Sequence, residues 1–101
     1  MAQLAGACGS FTGIANGGGC TPTVGNFNVA LSGTFVGTCV LQKNYDNGSW
    51  GWTNVSENAT GTAASYTAPV SMQMTEFEAG VSYRWICTAY ASGTINYRIS
   101  Q

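Results

Sequence analysis

The side chains of this 101-residue chain with the most chemistry open to them are four cysteines, Cys8, Cys20, Cys39 and Cys87. As thiolates they would hold a soft metal or attack a disulfide, and as thiols they would close on one another. They are separated by 11, 18 and 47 residues, with no Cys-x-x-Cys pair, and the chain has no histidine to complete a ligand set. Structural zinc sites draw their ligands in closely spaced pairs, so no metal is expected. Four cysteines allow three disulfide connectivities, which spacing does not choose among. Buried thiols acting as small apolar groups are the remaining option. Met1 to Cys8 has neither the basic region nor the apolar stretch of an export signal. Reduced thiols are therefore expected, with Cys8 and Cys20, and Cys39 and Cys87, as the pairs to form on oxidation.

Acid–base chemistry has less to work with. Glu76 and Glu78 share a strand parity and would place two carboxylates near each other. They lead into the turn Glu78-Ala79-Gly80, however, where solvated acids are ordinary. Without histidine there is no Ser-His-Asp or Cys-His arrangement. Gly17-Gly18-Gly19 lacks the strand, lysine and helix of a phosphate cradle. No catalytic residue and no cofactor are expected, so the chain reads as something other than an enzyme.

A third group is aromatic: Tyr45, Trp50 and Trp52. Trp50 and Trp52 share a parity, and flat rings flanked by Asn44, Asp46 and Asn47 would stack on sugar rings while the amides bond hydroxyls. The stronger reading makes one or both tryptophans core or subunit-contact anchors, because Trp is costly to leave bare and is enriched at protein interfaces. Both readings stand on the sequence.

Charge narrows the partners. Three cations, Lys43, Arg84 and Arg98, and four acids give a net charge of -1, with charged residues at only 7%. Three scattered cations cannot build a phosphate-neutralising surface, so nucleic acid is not an expected partner. No stretch reaches the 18 or more apolar residues of a membrane span, so neither is a membrane. Near-zero charge leaves little repulsion between copies, which favours self-association or a large neutral surface.

Polarity comes instead from 14 Gly, 12 Thr, 9 Ser and 8 Asn, which are poor helix formers suited to turns and strand surfaces. No sustained helical repeat is present, whereas period two recurs. Phe27, Val29 and Leu31 alternate with Asn28 and Ala30, and Ile95, Tyr97 and Ile99 alternate with Asn96, Arg98 and Ser100. Thr34 to Gln42 is apolar on both parities, as in a strand covered on two sides or at a subunit contact. Asp46-Asn47-Gly48-Ser49 is a strong turn string, with a return strand from Trp50 to Val55. Weaker strands are expected at 62–67 and 70–77 around Pro69, then at 82–90 and 94–100. About seven strands at this spacing specify an all-β fold, a compact antiparallel β-sandwich of immunoglobulin-like or jelly-roll-like type. The sandwich spans residues 27–101. Residues 1–26 read as a glycine-rich N-terminal arm with at most one short strand, which gains order only where a neighbour or an intramolecular strand holds it.

Cys39, Trp52 and Cys87 follow the Cys, Trp, Cys order of immunoglobulin domains, but Trp85 stands where a tyrosine corner puts Tyr, and Tyr83 lies four residues before the second Cys. A wider pattern covers about residues 24 to 101. Leu31-Ser32-Gly33-Thr34-Phe35-Val36-Gly37-Thr38-Cys39-Val40-Leu41-Gln42 is followed by Tyr45-Asp46-Asn47-Gly48, by Trp50 or Trp52, and by Thr67-Ala68-Pro69. Glu78-Ala79-Gly80-Val81-Ser82-Tyr83-Arg84 and Ser92-Gly93-Thr94-Ile95-Asn96-Tyr97-Arg98 complete it. The pattern resembles small virion-associated proteins of tailed bacteriophages.

That resemblance implies a structural virion protein made in the bacterial host cytoplasm and located on the capsid surface. It would be a decoration or cement subunit that binds the outer shell, bridges neighbouring shell subunits and so stabilises the capsid. The implied partners are the major capsid protein or another virion protein, together with copies of itself, a trimer fitting threefold positions. The glycine-rich arm and the apolar parity of residues 34–42 would make the contacts. The alternative is a phage fibre or surface module that holds glycan through Tyr45, Trp50 and Trp52.

Overall fold

A computed structural model describes residues 6–45, 49–55 and 65–101. Nine strands and no helix are present among them: β1 (Gly6–Phe11), β2 (Ala15–Asn16), β3 (Gly25–Ser32), β4 (Phe35–Asn44), β5 (Thr53–Asn54), β6 (Ser65–Tyr66), β7 (Val70–Glu76), β8 (Ser82–Gly93) and β9 (Ile95–Ser100). The Asp46-Asn47-Gly48 turn string lies outside the described residues, as do positions 62–64 of the strand expected at 62–67.

The strands form two antiparallel sheets in a compact, sandwich-like globule. One has the order β1-β9-β3-β7 and the other β2-β8-β4-β5, with β6 further along the same edge of β4 as β5. Apart from β4 to β6, which stay in the second sheet, each strand crosses to the sheet opposite its predecessor. The pairings nest, β1 with β9, β2 with β8, β3 with β7 and β4 with β6. A single long ribbon is thus folded over, and β9 against β3 and β8 against β4 close it into sheets.

Period two explains which faces meet. Phe27, Val29 and Leu31 of β3 and Ile95 and Ile99 of β9 are buried from one side, and Cys39 and Leu41 of β4 and Tyr83, Trp85 and Cys87 of β8 from the other. Each such side chain removed from water contributes about 1.5–3 kcal/mol, which a chain with so few charges has no other means to supply. Trp85 is at the centre. It is wholly buried, meets the ring of Tyr66 in its own sheet edge-on at 6.0 Å, and donates its indole N–H to the Arg98 carbonyl of the facing sheet at 3.4 Å.

The glycine-rich segment is more structured than its composition suggests. β1 pairs with β9 along all six residues, Gly6 opposite Ser100 through Phe11 opposite Ile95. Phe11 is buried and stacks on Tyr97 at 4.7 Å. β2 pairs with β8, and the Gly17 amide donates to the Trp85 carbonyl at 2.7 Å. Residues 6–26 therefore carry two strands where at most one was expected, one in each sheet, and β3 begins at Gly25. Nine strands replace the expected seven because of these two.

Between β8 and β9 only Thr94 intervenes, although the chain changes sheets there. Gly93 makes this possible. Its φ is +91°, and a Cβ there would overlap the Thr34 carbonyl oxygen and approach Phe35 Cα to 2.7 Å. The Thr94 amide then donates to that same Thr34 carbonyl at 3.1 Å, tying the crossing to the β3–β4 turn.

Candidate functional site

β4 carries Leu41 and Lys43 on one parity, and Tyr45 follows just past its end, so the row that fills the core at Leu41 leads out to a half-buried Tyr45 at the end of the sandwich. Trp50 returns to meet it. The two rings lie edge to face at 6.2 Å and 88°, and the Trp50 amide donates to the Tyr45 carbonyl at 3.4 Å. Trp50 remains 64% exposed.

Trp52 has other partners. Gly51 adopts φ +98°, which interrupts strand alternation, and β5 begins only at Thr53. Trp52 is half-buried against the Arg84 guanidinium, 4.4 Å from the ring centroid. That guanidinium is gripped twice by Gln42 Oε1, at 3.0 and 2.9 Å, and Gln42 Nε2 donates to Asn54 Oδ1 at 3.0 Å. Register explains the set, since Gln42 lies opposite both Arg84 and Asn54. Asn44, expected to bond a ligand, is buried and accepts from the Gly51 amide at 2.9 Å. Tyr45 and Trp50 are thus brought together, while Trp52 belongs to a polar network on the second sheet.

Beneath Tyr45 the charges neutralise one another. Lys43 Nζ lies 5.0 Å from the Tyr45 ring centroid and 3.9 Å from Glu76 Oε1. Glu76 also accepts from the buried Tyr83 hydroxyl at 2.7 Å and from the Glu78 amide at 3.2 Å. The Glu76 carboxylate is thereby engaged in structure, with its contact to residue 78 made through backbone.

Burial, then the hydrogen bond to Glu76 and its charge, push the Tyr83 phenol far above its ordinary value, and burial foremost raises Cys39 from 9.0 to about 12. The unfolded chain therefore releases these protons first. The stability they lend is complete below about pH 9 and declines as pH rises through the window above it. The midpoint of urea unfolding should accordingly fall as pH is raised beyond 9. Tyr83→Phe should lower it at pH 7 by about 1.5–3 kcal/mol of stability through the lost bond to a charged group, and should flatten the decline above pH 10.

Two residues not singled out by the sequence reading join this end of the molecule. Gly25 pairs with Glu76 as the last rung of β3 and β7, and Val24 and Phe77 are the residues that flank this rung outside the strands. They are 52% and 80% exposed. The signal for Phe77 was its parity: Val70, Met72, Met74 and Glu76 alternate inward, which leaves Phe77 on the side of Ser71, Gln73 and Thr75. The Lys43–Glu76 pair connects this rung to the Tyr45 end of β4, so Val24, Trp50 and Phe77 lie toward the same end of the sandwich.

The four cysteines are all free. Cys8 is exposed on β1, whereas Cys20 packs against the core beside Tyr83, so the thiols of the first expected pair lie in different surroundings. Cys39 and Cys87 are buried directly opposite each other in β4 and β8. Within Thr34 to Gln42, Val36 is exposed and borders a shallow hollow with Phe35 and Tyr90, while Val40 is covered. Among the described residues no group of three or more His, Cys, Asp or Glu side chains could hold a metal ion, and no helix is long and apolar enough to cross a membrane. No family model, curated protein or solved structure matches this chain.

Proposed function

We propose that the chain is a structural virion protein of a bacteriophage, a decoration or cement subunit seated on the capsid, and that its sandwich is of the jelly-roll type. The strand order supports the fold assignment. Counting β5 and β6 as one interrupted strand leaves eight, four to a sheet, with the first strand beside the last and the second beside the next to last. In an immunoglobulin-type sandwich the last strand sits beside its predecessor, whereas β9 lies between β1 and β3. Jelly rolls serve as viral capsid and lectin domains.

The observation that carries the functional reading is the end bearing Val24, Trp50 and Phe77. Three large apolar side chains at one end of a small domain, above charges already paired, suit a dry contact with a protein surface. Burying each would contribute about 1.5–3 kcal/mol, and repetition over a shell multiplies a modest contact. The contact set therefore moves from the arm, which is bound into both sheets over residues 6–26, to this end.

The test is attachment to particles lacking the chain. Wild type should saturate them at a copy number of the order of the major shell protein, counted by quantitative mass spectrometry. A variant with Val24→Ser, Trp50→Ser and Phe77→Ser should bind at least about 100-fold more weakly, which is only ~2.8 kcal/mol, with its unfolding midpoint nearly unchanged. Saturation at a handful of copies would place the protein in a tail or fibre.

The exposure of Trp50, with Tyr45 edge-on beneath it, favours one second reading, a glycan-binding module. In that case Trp50→Ala alone abolishes binding to an oligosaccharide array and leaves particle attachment intact.

A further inference from the structure

Cys39 and Cys87 are rung partners in the two central strands of the second sheet, and both project into the core, 0% and 2% exposed. The Cys87 thiol donates to the Ala89 carbonyl at 3.2 Å. The ladder is irregular at this rung. Thr38 pairs with Ala89 and Cys39 with Cys87, so Thr88 is an extra residue on β8, and a bulge increases the local twist of its strand pair. Directly opposed residues have Cβ atoms about 4.5–5.5 Å apart, and a disulfide needs about 3.5–4.5 Å. Closing the bond asks for a shift of roughly 1 Å, which an added twist can supply.

We propose that Cys39 and Cys87 close to a cross-strand disulfide when the chain folds in the presence of a small-molecule disulfide, and stay reduced when the sandwich closes before that oxidant is met. In the first step one thiolate attacks the small disulfide, forming a mixed disulfide and expelling one small thiol. In the second, the other cysteine attacks the protein sulfur of the mixed disulfide, forming the Cys39–Cys87 bond and expelling the second small thiol. The two protein thiols lose two protons and two electrons in all, and the small disulfide gains them.

The order of events follows from reactivity. Exchange needs a thiolate and access to it. In the closed sandwich neither sulfur reaches solvent, and burial has pushed Cys39 up to about 12. In the unfolded chain both requirements are met. The bond would join β4 to β8 at the middle of the fold, so redox conditions during folding would be stored as two products of unequal stability.

The experiment uses the full chain with Cys8→Ser and Cys20→Ser, leaving only this pair. Urea-unfolded, reduced protein is refolded in a mixture of oxidised and reduced glutathione, free thiols are alkylated, and the intact mass and linked peptides are read by mass spectrometry. The expected result is a product two hydrogens lighter, with Cys39 and Cys87 peptides linked and a higher urea midpoint than the reduced form. Protein folded in reducing buffer and then given the same mixture should keep both thiols. Two free thiols or two glutathione adducts after refolding would overturn the proposal, as would closure in the folded protein at the rate of unfolding-independent exposed thiols. If this variant does not refold, the wild-type chain is mapped instead. A dominant Cys39–Cys87 link is then expected, and a dominant link through Cys8 or Cys20 would refute it.

Discussion

Trp85→Ala is expected to cost about 3–5 kcal/mol, the range for truncating a fully buried aromatic side chain. Against a total of about 5–15 kcal/mol for a domain, that leaves a chain close to unfolding at 37 °C. The upper end of the range is favoured by what the indole does besides filling space. It spans both sheets, since its N–H meets the Arg98 carbonyl of β9 while its ring meets Tyr66 of β6. Its removal opens a hole and strips a partner from a carbonyl in the core. Trp85→Phe restores most of the volume but not the donor, and should fall between wild type and alanine. Urea titrations followed by circular dichroism would give the ranking, with a shared slope certifying that only stability changed. An alanine variant within about 1 kcal/mol of wild type would mean that the core is not organised around this residue.

Gly93→Ala is the second large effect, although it adds only one methyl group. A side chain at φ +91° costs about 1–3 kcal/mol in backbone strain. The overlap with the Thr34 carbonyl and Phe35 Cα is with backbone, which cannot swing aside, and adds about 1–3 kcal/mol more. Relief would separate Thr94 from Thr34 and loosen the crossing between sheets. Gly13→Ala is the matched control, because nothing lies within 4 Å of a Cβ there and its φ is not positive. Thermal unfolding should show the first variant melting far below wild type and the second within a few degrees of it.

Much of this architecture was legible in the residues. Alternation in Phe27-Asn28-Val29-Ala30-Leu31 and Ile95-Asn96-Tyr97-Arg98-Ile99 marks β3 and β9, and Tyr83, Trp85 and Cys87 form one buried face as their spacing suggests. β1 was not legible because Gly6-Ala7-Cys8-Gly9-Ser10 carries no apolar pattern. Its order comes from the ladder it makes with β9, a partner at the far end of the chain. The candidate site shows the same division. Tyr45 and Trp50 are neighbours in a connection short enough to read, whereas the Arg84 on which Trp52 packs is supplied by a rung between β4 and β8 that no local pattern announces. Phe77 was visible as a break in parity, but only the register of β3 with β7 places it and Val24 at the same end of that ladder.

The nesting of the ribbon also bears on how the chain is made. Phe11 finds its partner in Ile95, which a ribosome adding about 5–20 residues per second delivers roughly 4–17 s later. For that interval β1 is a strand without a ladder, on a polysome where nascent copies stand side by side. A sequence rich in Val, Ile or aromatic residues at 6–10 would offer those copies an aggregation-prone template. Gly-Ala-Cys-Gly-Ser offers almost none. The feebleness of this segment as a strand former, which hid it from a reading of the sequence, keeps it unpaired until its own β9 emerges.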